Sequence, residues 1–441
     1  MRINLPEDVN YIICTLQQHG VEAYAVGGCV RDILLGRIPG DWDITTSAKP
    51  KQVKEIFTHT IDTGILHGTV TVMLHKVGYE VTTYRIDGEY EDARHPKEVT
   101  FTSNLIEDLK RSDFTINAMA YNDTEGLIDA FTGLEDLEKG VIQCVGNPKE
   151  RFSEDALRML RAVRFAAQLG FEIEENTADA IFELSHTIEK ISAERIQVEL
   201  VKLLLSPHPE EIETAYKLGL TKVFLPEFDQ MMETMQNSPH HCYSVGKHTI
   251  ETLKCVSANR YLRIVMLLHD VAKPLCVSTK NGRDHFYGHP KKGAEMSKMI
   301  LRRLKFDNDT IKKVAHLILF HDERPELTEK NVRKMVSRVG VDYCPMLIEI
   351  KRADLYGQSE YKRTQKEAYV NLFEKMYKEI LEKKQCVQKA DLAVNGKDLM
   401  EIGVPQGKQV GVILESLFQE VLENPERNEK DILLGIAKTM I

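Results

Sequence analysis

The feature that most limits the fold is a change of pattern near residue 140. Before it, strand and helix signals are mixed; after it, the chain reads as long helical patterns with almost no alternating stretch. This predicts an α+β protein with a small mixed β-sheet head followed by a largely α-helical remainder. At 441 residues there is room for two to four domains. Helices after Pro148 have candidate stops at Gly170, Ser206-Pro207 with Pro209, and Pro226, and a histidine-rich helical section follows from about 238 to 356, so the chain is expected to divide into 1–140, 141–228, 229–360 and 361–441.

Within the head, Val21 to Val26 read as a strand, Gly27-Gly28 as a tight turn, and Val30 to Leu35 as a short helix closed by Gly36. Asp41 to Thr46 read as a second strand. Gly68 to His75 and Tyr79 to Arg85 read as a hairpin joined by Lys76-Val77-Gly78, with Val70, Val72 and Leu74 on one face. Ile86 to Glu98, with Gly88, Pro96 and many charges, is expected to be a mobile loop.

Composition excludes several classes. With 42% hydrophobic and 28% charged residues the chain is globular, and a net charge of −9 argues against a protein that grips long nucleic acid along its whole surface. No DNA partner is expected, and any nucleic-acid contact should be local. No run of eighteen apolar residues is present, and the polar start from Met1 to Asn10 carries no secretory pattern. The eight cysteines form no CxxC pair, so a cytoplasmic, reduced protein without a membrane span is expected.

Asp41 and Asp43, two apart on the expected strand, would share one face. Paired carboxylates can hold magnesium ions that bridge a triphosphate. Alone, such a pair more often marks a solvated strand end. Gly27 and Gly28 add a turn where backbone can approach phosphate, and Arg31 lies one turn into the following helix. Glu80 on the hairpin is either a third acid or a surface glutamate.

These residues carry a resemblance. Val26-Gly27-Gly28-Cys29-Val30-Arg31-Asp32, Leu34-Leu35-Gly36-Arg37 and Asp41-Trp42-Asp43-Ile44-Thr45 resemble the first signature of the tRNA nucleotidyltransferase and bacterial poly(A) polymerase family, with its DNA polymerase beta-like head. The match continues through Thr63-Gly64, His67-Gly68-Thr69, Arg111-Ser112-Asp113-Phe114-Thr115-Ile116-Asn117-Ala118, Asp129, Gly133 and Asp136-Leu137. The resemblance implies that Arg111 and Asp113 recognise the ribose of the incoming nucleotide. Ser112 departs from the family, which usually has a second arginine there.

Farther on, Glu154 to Arg164 read as one helix with Asp155, Arg158 and Arg161 on a stripe at intervals of three, and Leu157, Leu160 and Phe165 turned inward. An exposed, salt-bridged face is the plain reading. The segment also resembles the family's amino-acid template, which implies that Asp155 and Arg158 read the base while Arg161 and Arg164 hold phosphate or position the helix. A carboxylate that only accepts, beside a guanidinium that only donates, suits the amino group and ring acceptors of cytosine or adenine. Uracil O4 and guanine O6 would set an acceptor against the carboxylate, at a cost on the order of 1–3 kcal/mol per unsatisfied group. Glu194-Arg195-Ile196-Gln197-Val198-Glu199-Leu200 resembles the last family signature, with an implied role in supporting the template helix.

In the helical half, His248, His269-Asp270 and Asp354 follow the H…HD…D order of the HD superfamily, with Leu267 to Lys273 and Tyr287-Gly288-His289 adding to the likeness. That likeness implies a possible second divalent metal; His289, His316 and His321 are further candidates. Asn395-Gly396-Lys397 and Gly403 to Gly411 read as helix, turn, helix, similar to the tRNA-binding tail of the family. Lys298, Arg302, Arg303, Lys305, Lys312 and Lys313 supply a local positive surface.

The expectation is therefore a head (1–140), a base-reading helical neck (141–228), an HD body (229–360) and a tRNA-binding tail (361–441). It would add CCA to the 3′ end of tRNA from CTP and ATP, with Mg2+, releasing pyrophosphate. The alternatives are a poly(A) polymerase, an enzyme adding only C or only A, or an HD phosphohydrolase with an inactive head.

Overall fold

A computed structural model describes residues 3–88 and 99–441. Two units result, Met1–Pro226 and Glu227–Ile441. The chain is α+β, with its seven-stranded mixed sheet in the first unit.

The first unit opens with α1 (Glu7–Gln18), β1 (Ala23–Val26), α2 (Gly28–Leu34), β2 (Asp43–Thr46) and α3 (Pro50–Ile56). Next come β3 (Thr60–Gly64), β4 (Thr69–Leu74), β5 (Val77–Thr83), β6 (Arg85–Asp87) and β7 (Val99–Phe101). The head is completed by α4 (Leu105–Lys110), β8 (Met119–Asn122), β9 (Gly126–Asp129) and α5 (Gly133–Lys139). The sheet order is β3-β4-β5-β2-β1-β8-β9; β2 and β5 run parallel, and the other neighbours antiparallel. Val9, Ile12, Ile13 and Leu16 of α1 are buried, with α1 packed on β1 and β2. Each such side chain contributes about 1.5–3 kcal/mol on burial.

Three local expectations need correction. Asp41 precedes β2 instead of lying on it, since the strand starts at Asp43. The hairpin turns on His75-Lys76, with Leu74 opposite Val77, and both turn residues take positive φ (48° and 69°). That backbone matches the right-handed twist of the strands, so the twist selects a two-residue turn even without glycine. Of the expected loop at 86–98, Ile86 and Asp87 instead pair with Thr100 and Val99, while residues 89–98 lie outside the described residues.

The neck follows as α6 (Pro148–Glu154), α7 (Leu157–Leu169), α8 (Glu175–Leu184) and α9 (Ala193–Leu204). The single helix expected from Glu154 to Arg164 is broken: Asp155 is extended (φ −143°, ψ 102°), and its Oδ1 accepts a hydrogen bond from the Leu157 backbone N–H at 3.0 Å. A short side-chain acceptor competing for a free amide is what starts a new helix here. α7 then runs to Gly170 (φ 73°) and packs on α9, with Leu157, Leu160 and Phe165 buried as expected.

In the second unit, helices Val245–Cys255, Arg260–Leu268, His289–Arg303, Asn308–Phe320 and Cys344–Tyr356 are followed by Arg363–Glu382. A hairpin, Ser278–Lys280 with Arg283–His285, interrupts what reads as wholly helical sequence. Its Asn281-Gly282 turn is a recognisable hairpin signal in that sequence. The tail helices Gly396–Glu401, Lys408–Glu423 and Lys430–Lys438 close on Leu399, Leu417, Val421 and Leu433. Buried Arg333 donates to the carbonyls of Leu422 and Glu423 (3.0 and 3.1 Å), satisfying the end of the long tail helix.

Candidate active site

A cleft of about 720 Å³ in the first unit is lined by all the head and neck candidates: Gly27, Gly28, Arg31, Asp41, Asp43, Arg111, Asp113, Asp155, Arg158, Arg161 and Arg164. Gly27 enters α2 with φ 81°, a conformation that favours glycine. At Gly28 an added Cβ would stand 3.7 Å from Arg31 Nη2, in ordinary contact.

The acidic side of the cleft is Asp41, Asp43 and Glu80, since the parallel register sets Asp43 opposite Glu80. Asp43 is open to the cleft, yet the surrounding protein removes part of its hydration. This burial, reinforced by Asp41 and Glu80 and opposed by Arg111, pushes its carboxyl up to about 6. Three like charges at one strand edge form a repulsion that a divalent cation would relieve.

The basic side is built by bracing. Asp113 Oδ1 accepts from the Phe114 N–H and the Asn117 side-chain amide, both at 2.9 Å, while Oδ2 accepts from Arg161 Nε at 2.8 Å. Burial would raise the Asp113 carboxyl, but Arg161 and Asn117 hold it below the ordinary carboxylate range. Arg31 is tied to the same amide group, donating to Asn117 Oδ1 at 2.6 Å. Arg164 donates to Glu199 Oε2 at 2.6 Å and lies 3.6 Å over the Phe165 ring, with Arg31 and Arg161 also against that ring at 4.9 and 5.5 Å. One aromatic ring thus seats three guanidinium groups, an arrangement stabilised by cation–π attraction. Asp129 caps α5 through the Gly133 and Leu134 amides (2.9 Å each), and an added Cβ at Gly133 would come 2.3 Å from the Thr115 carbonyl. These signature residues hold the Thr115–Asn117 turn that supports Asp113.

Asp155 and Arg158 both face the cleft but are not paired with each other. Asp155 is gripped by Arg195 (Nη1–Oδ1 3.2 Å, Nη2–Oδ2 2.6 Å), whereas Arg158 binds Glu154 at 2.6 Å and the Arg151 and Arg111 carbonyls. The expected stripe of Asp155, Arg158 and Arg161 on one helix is replaced by an extended residue followed by two helical ones. Sequence reasoning missed Asp108, which accepts from Thr45 Oγ1 (2.7 Å), the Arg85 amide (3.1 Å) and Arg111 Nε (2.9 Å). Its spacing of three from Arg111 was the available signal.

The second unit holds another cluster. His248, His269 and Asp354 bring one ligand atom each within 4.8 Å of one another, as do Asp270, His289 and His321. All six are buried. Each histidine presents Nδ1 to a backbone carbonyl: Gly357 for His248 (2.9 Å), Met266 for His269 (2.8 Å), Phe286 for His289 (2.8 Å) and Ile318 for His321 (2.7 Å). With Nδ1 bearing the proton, the four Nε2 lone pairs converge, at 3.3 Å for His248 with His269 and 3.3 Å for His289 with His321. Burial opposes ionisation of Asp270, yet His269, when a proton takes the place of a metal on its Nε2, and Lys273 keep that carboxyl well below the ordinary range. His316, also a candidate, lies apart, with Nε2 at 2.7 Å from the Val339 carbonyl.

Comparison with known proteins agrees with this architecture. Residues 23–143 match the family model described as "Poly A polymerase head domain", residues 170–232 that described as "Probable RNA and SrmB- binding site of polymerase A", and residues 291–437 that described as "tRNA nucleotidyltransferase domain 2 putative". Fold and cleft define a nucleotidyltransferase with a helical neck. The CCA-adding enzyme of Ligilactobacillus salivarius is 36% identical over 99% of this chain and 98% of that protein, and that of Enterococcus faecalis is 36% identical over 97% and 94%. The chain belongs to the CCA-adding enzyme family of tRNA nucleotidyltransferases. The structure of the Bacillus stearothermophilus CCA-adding enzyme in complex with CTP superposes with TM-score 0.73 at 30% identity, covering 98% of this chain and 96% of that one. The Thermotoga maritima CCA-adding enzyme complexed with tRNA shares the fold at 21% identity (TM-score 0.58).

Proposed function

We propose that the protein extends the 3′ end of tRNA by CCA, using CTP and ATP and releasing pyrophosphate without a nucleic-acid template. The observation that carries this reading is the single cleft in which the carboxylates of Asp41, Asp43 and Glu80 meet the Asp155 and Arg158 groups. Asp41 and Asp43 would hold Mg2+, which when bound neutralises the triphosphate and favours the ionised 3′ oxygen. That oxygen attacks the α-phosphorus and pyrophosphate leaves. Gly27, Gly28 and Arg31 lie where the triphosphate would run, Arg111 faces the ribose, and Asp113 acts through Arg161. Asp155 and Arg158 read the base in positions fixed by Arg195 and Glu154. The chain's eight free cysteines support work in the reducing cytoplasm, and among the described residues no helix is long and apolar enough to cross a membrane. Incubation with tRNA lacking its tail and labelled CTP, ATP or both tests the reading: stepwise growth by exactly three nucleotides, C, C, A, is expected. Long A tracts, or arrest after C or A alone, would replace it with one of the alternatives.

A second reading concerns Glu227–Ile441. We propose that His248, His269, Asp270, His289, His321 and Asp354 hold two divalent metals and hydrolyse phosphate esters. Four imidazoles with locked tautomers and two ionised carboxylates fit transition-metal ions. Elemental analysis after loading with Mn2+, with turnover of p-nitrophenyl phosphate, tests it; no bound metal and no turnover would reject it.

A further inference from the structure

Two hollows meet at the histidine–aspartate cluster. The larger, about 470 Å³, is bordered by Asp270, His289, His321 and Asp354. The smaller, about 290 Å³, lies beyond Asp354 and is lined by Arg324, Lys351, Lys362 and Lys366, with Tyr369 and Val370. His240, Arg324, Asp354 and Gln358 border both, so the hollows share a wall.

The smaller hollow has a mostly apolar lining into which four cationic side chains reach. Its one lining carboxylate, Asp354, is turned to the cluster through Oδ1, which lies 3.0 Å from His248 Nε2, while Oδ2 accepts from Gln358 Nε2 at 2.8 Å. Against it stand four cations. Arg324 is within ion-pair range of Asp322 and Asp354, at 3.5 and 3.6 Å, which offsets part of its charge. Lys366 donates to the neutral Gln358 side chain at 2.7 Å. Lys351, buried, donates to the carbonyls of His321 and Glu323 at 2.8 and 2.6 Å, two of its three N–H groups. Excess positive charge crowded in a concave site has an anion as its natural counterpart.

We infer that the substrate class of this centre is a phosphate ester that carries a second phosphate group, the reacting ester over the six metal donors and the second phosphate in the hollow of Arg324, Lys362 and Lys366. The inference rests on the hydrolase reading given above. Water adds to phosphorus, the P–O bond to the organic group breaks, and the released oxygen takes the proton that water gives up. The products are inorganic phosphate and an alcohol that keeps the other phosphate.

The test uses the full chain loaded with Mn2+ and compares adenosine 3′,5′-bisphosphate with 3′-AMP and 5′-AMP, and an RNA trinucleotide with a 3′-terminal phosphate with the nucleoside monophosphates. p-Nitrophenyl phosphate reports hydrolysis as such. A bisphosphate-to-monophosphate ratio in kcat/KM of about tenfold, equivalent to about 1.4 kcal/mol, carried mainly by KM, is expected. Preference for the free bisphosphate or for the RNA end identifies which source supplies the second phosphate. Lys362→Ala at the exposed lysine and Lys366→Ala at the half-buried one should bring the ratio toward one. Turnover of p-nitrophenyl phosphate with equal kcat/KM for mono- and bisphosphates would overturn this inference alone. Absence of all turnover in metal-loaded protein would overturn it together with the hydrolase reading.

Discussion

The head cleft and the histidine–aspartate cluster both gather carboxylates, but they are built in opposite ways. In the cleft, Asp41, Asp43 and Glu80 are open and face one another with like charge, so the site is incomplete until oxygens of a substrate join a cation there. In the cluster, six buried donors already converge, and four carbonyls fix the imidazole tautomers. Open acidic sites suit Mg2+, which keeps much of its shell for water and phosphate, whereas closed nitrogen-rich sites suit ions held by protein alone. The two units should therefore differ in how tightly metal stays and in what its loss does.

The sharpest way to break this comparison is Asp41→Ala. Loss of several kcal/mol of charge stabilisation should lower nucleotide incorporation by roughly 10³-fold or more, with tRNA binding nearly intact in a filter assay. Substantial residual turnover would contradict the assignment. Next in size is Asp155→Ala, which removes the acceptor that repels uracil O4. Discrimination against UTP should fall by about 10- to 100-fold, the equivalent of about 1–3 kcal/mol. Arg195→Ala should reproduce part of that loss, because Arg195 holds Asp155 at 2.6 Å. Unchanged selectivity in both would show that the base is read elsewhere. In the second unit, Asp270→Asn should release metal during dialysis while leaving nucleotide incorporation unaltered. Coupled loss of both would mean that the cluster supports the whole fold and not a separate chemistry.

Much of the cleft was legible because its residues sit in short, dense segments: a glycine turn, an arginine and two aspartates within seventeen residues from Gly27 to Asp43. What escaped depends on partners distant in sequence. The break at Asp155 could not be read from helical spacing, since an extended residue held by Arg195 forty positions away overrides local propensity. For Asp108 the spacing of three from Arg111 was the one local sign, and its other partners, Thr45 and Arg85, come from strands distant in sequence. In the second unit, His289 and His321 could be suspected but not separated from His316. The difference lies in which helix end turns inward, and His321 is a helix cap whereas His316 is within a helix and bonds to Val339. The Asn281-Gly282 hairpin, by contrast, was signalled by its dipeptide and hidden only by the helical sequence around it.

The smallest expected effect concerns Asp43, and it separates the two designs by pH. Its folded-state carboxyl titrates near 6, above the ordinary carboxylate range, first from lost hydration and then from Asp41 and Glu80. A group raised in this way favours the folded state when protonated. Its contribution is thus fully present below the ordinary value and is lost as pH rises through about 6. Asp43→Asn, which keeps the neutral shape at every pH, should raise Tm relative to wild type at pH 8 without Mg2+ and show no difference near pH 4. Added Mg2+ should erase the pH 8 advantage, because the cation stabilises the ionised wild-type site and not the amide. A Tm difference independent of both pH and Mg2+ would mean that the three carboxylates do not act on one another, and the acidic side of the cleft would then lose its reason to gather a metal.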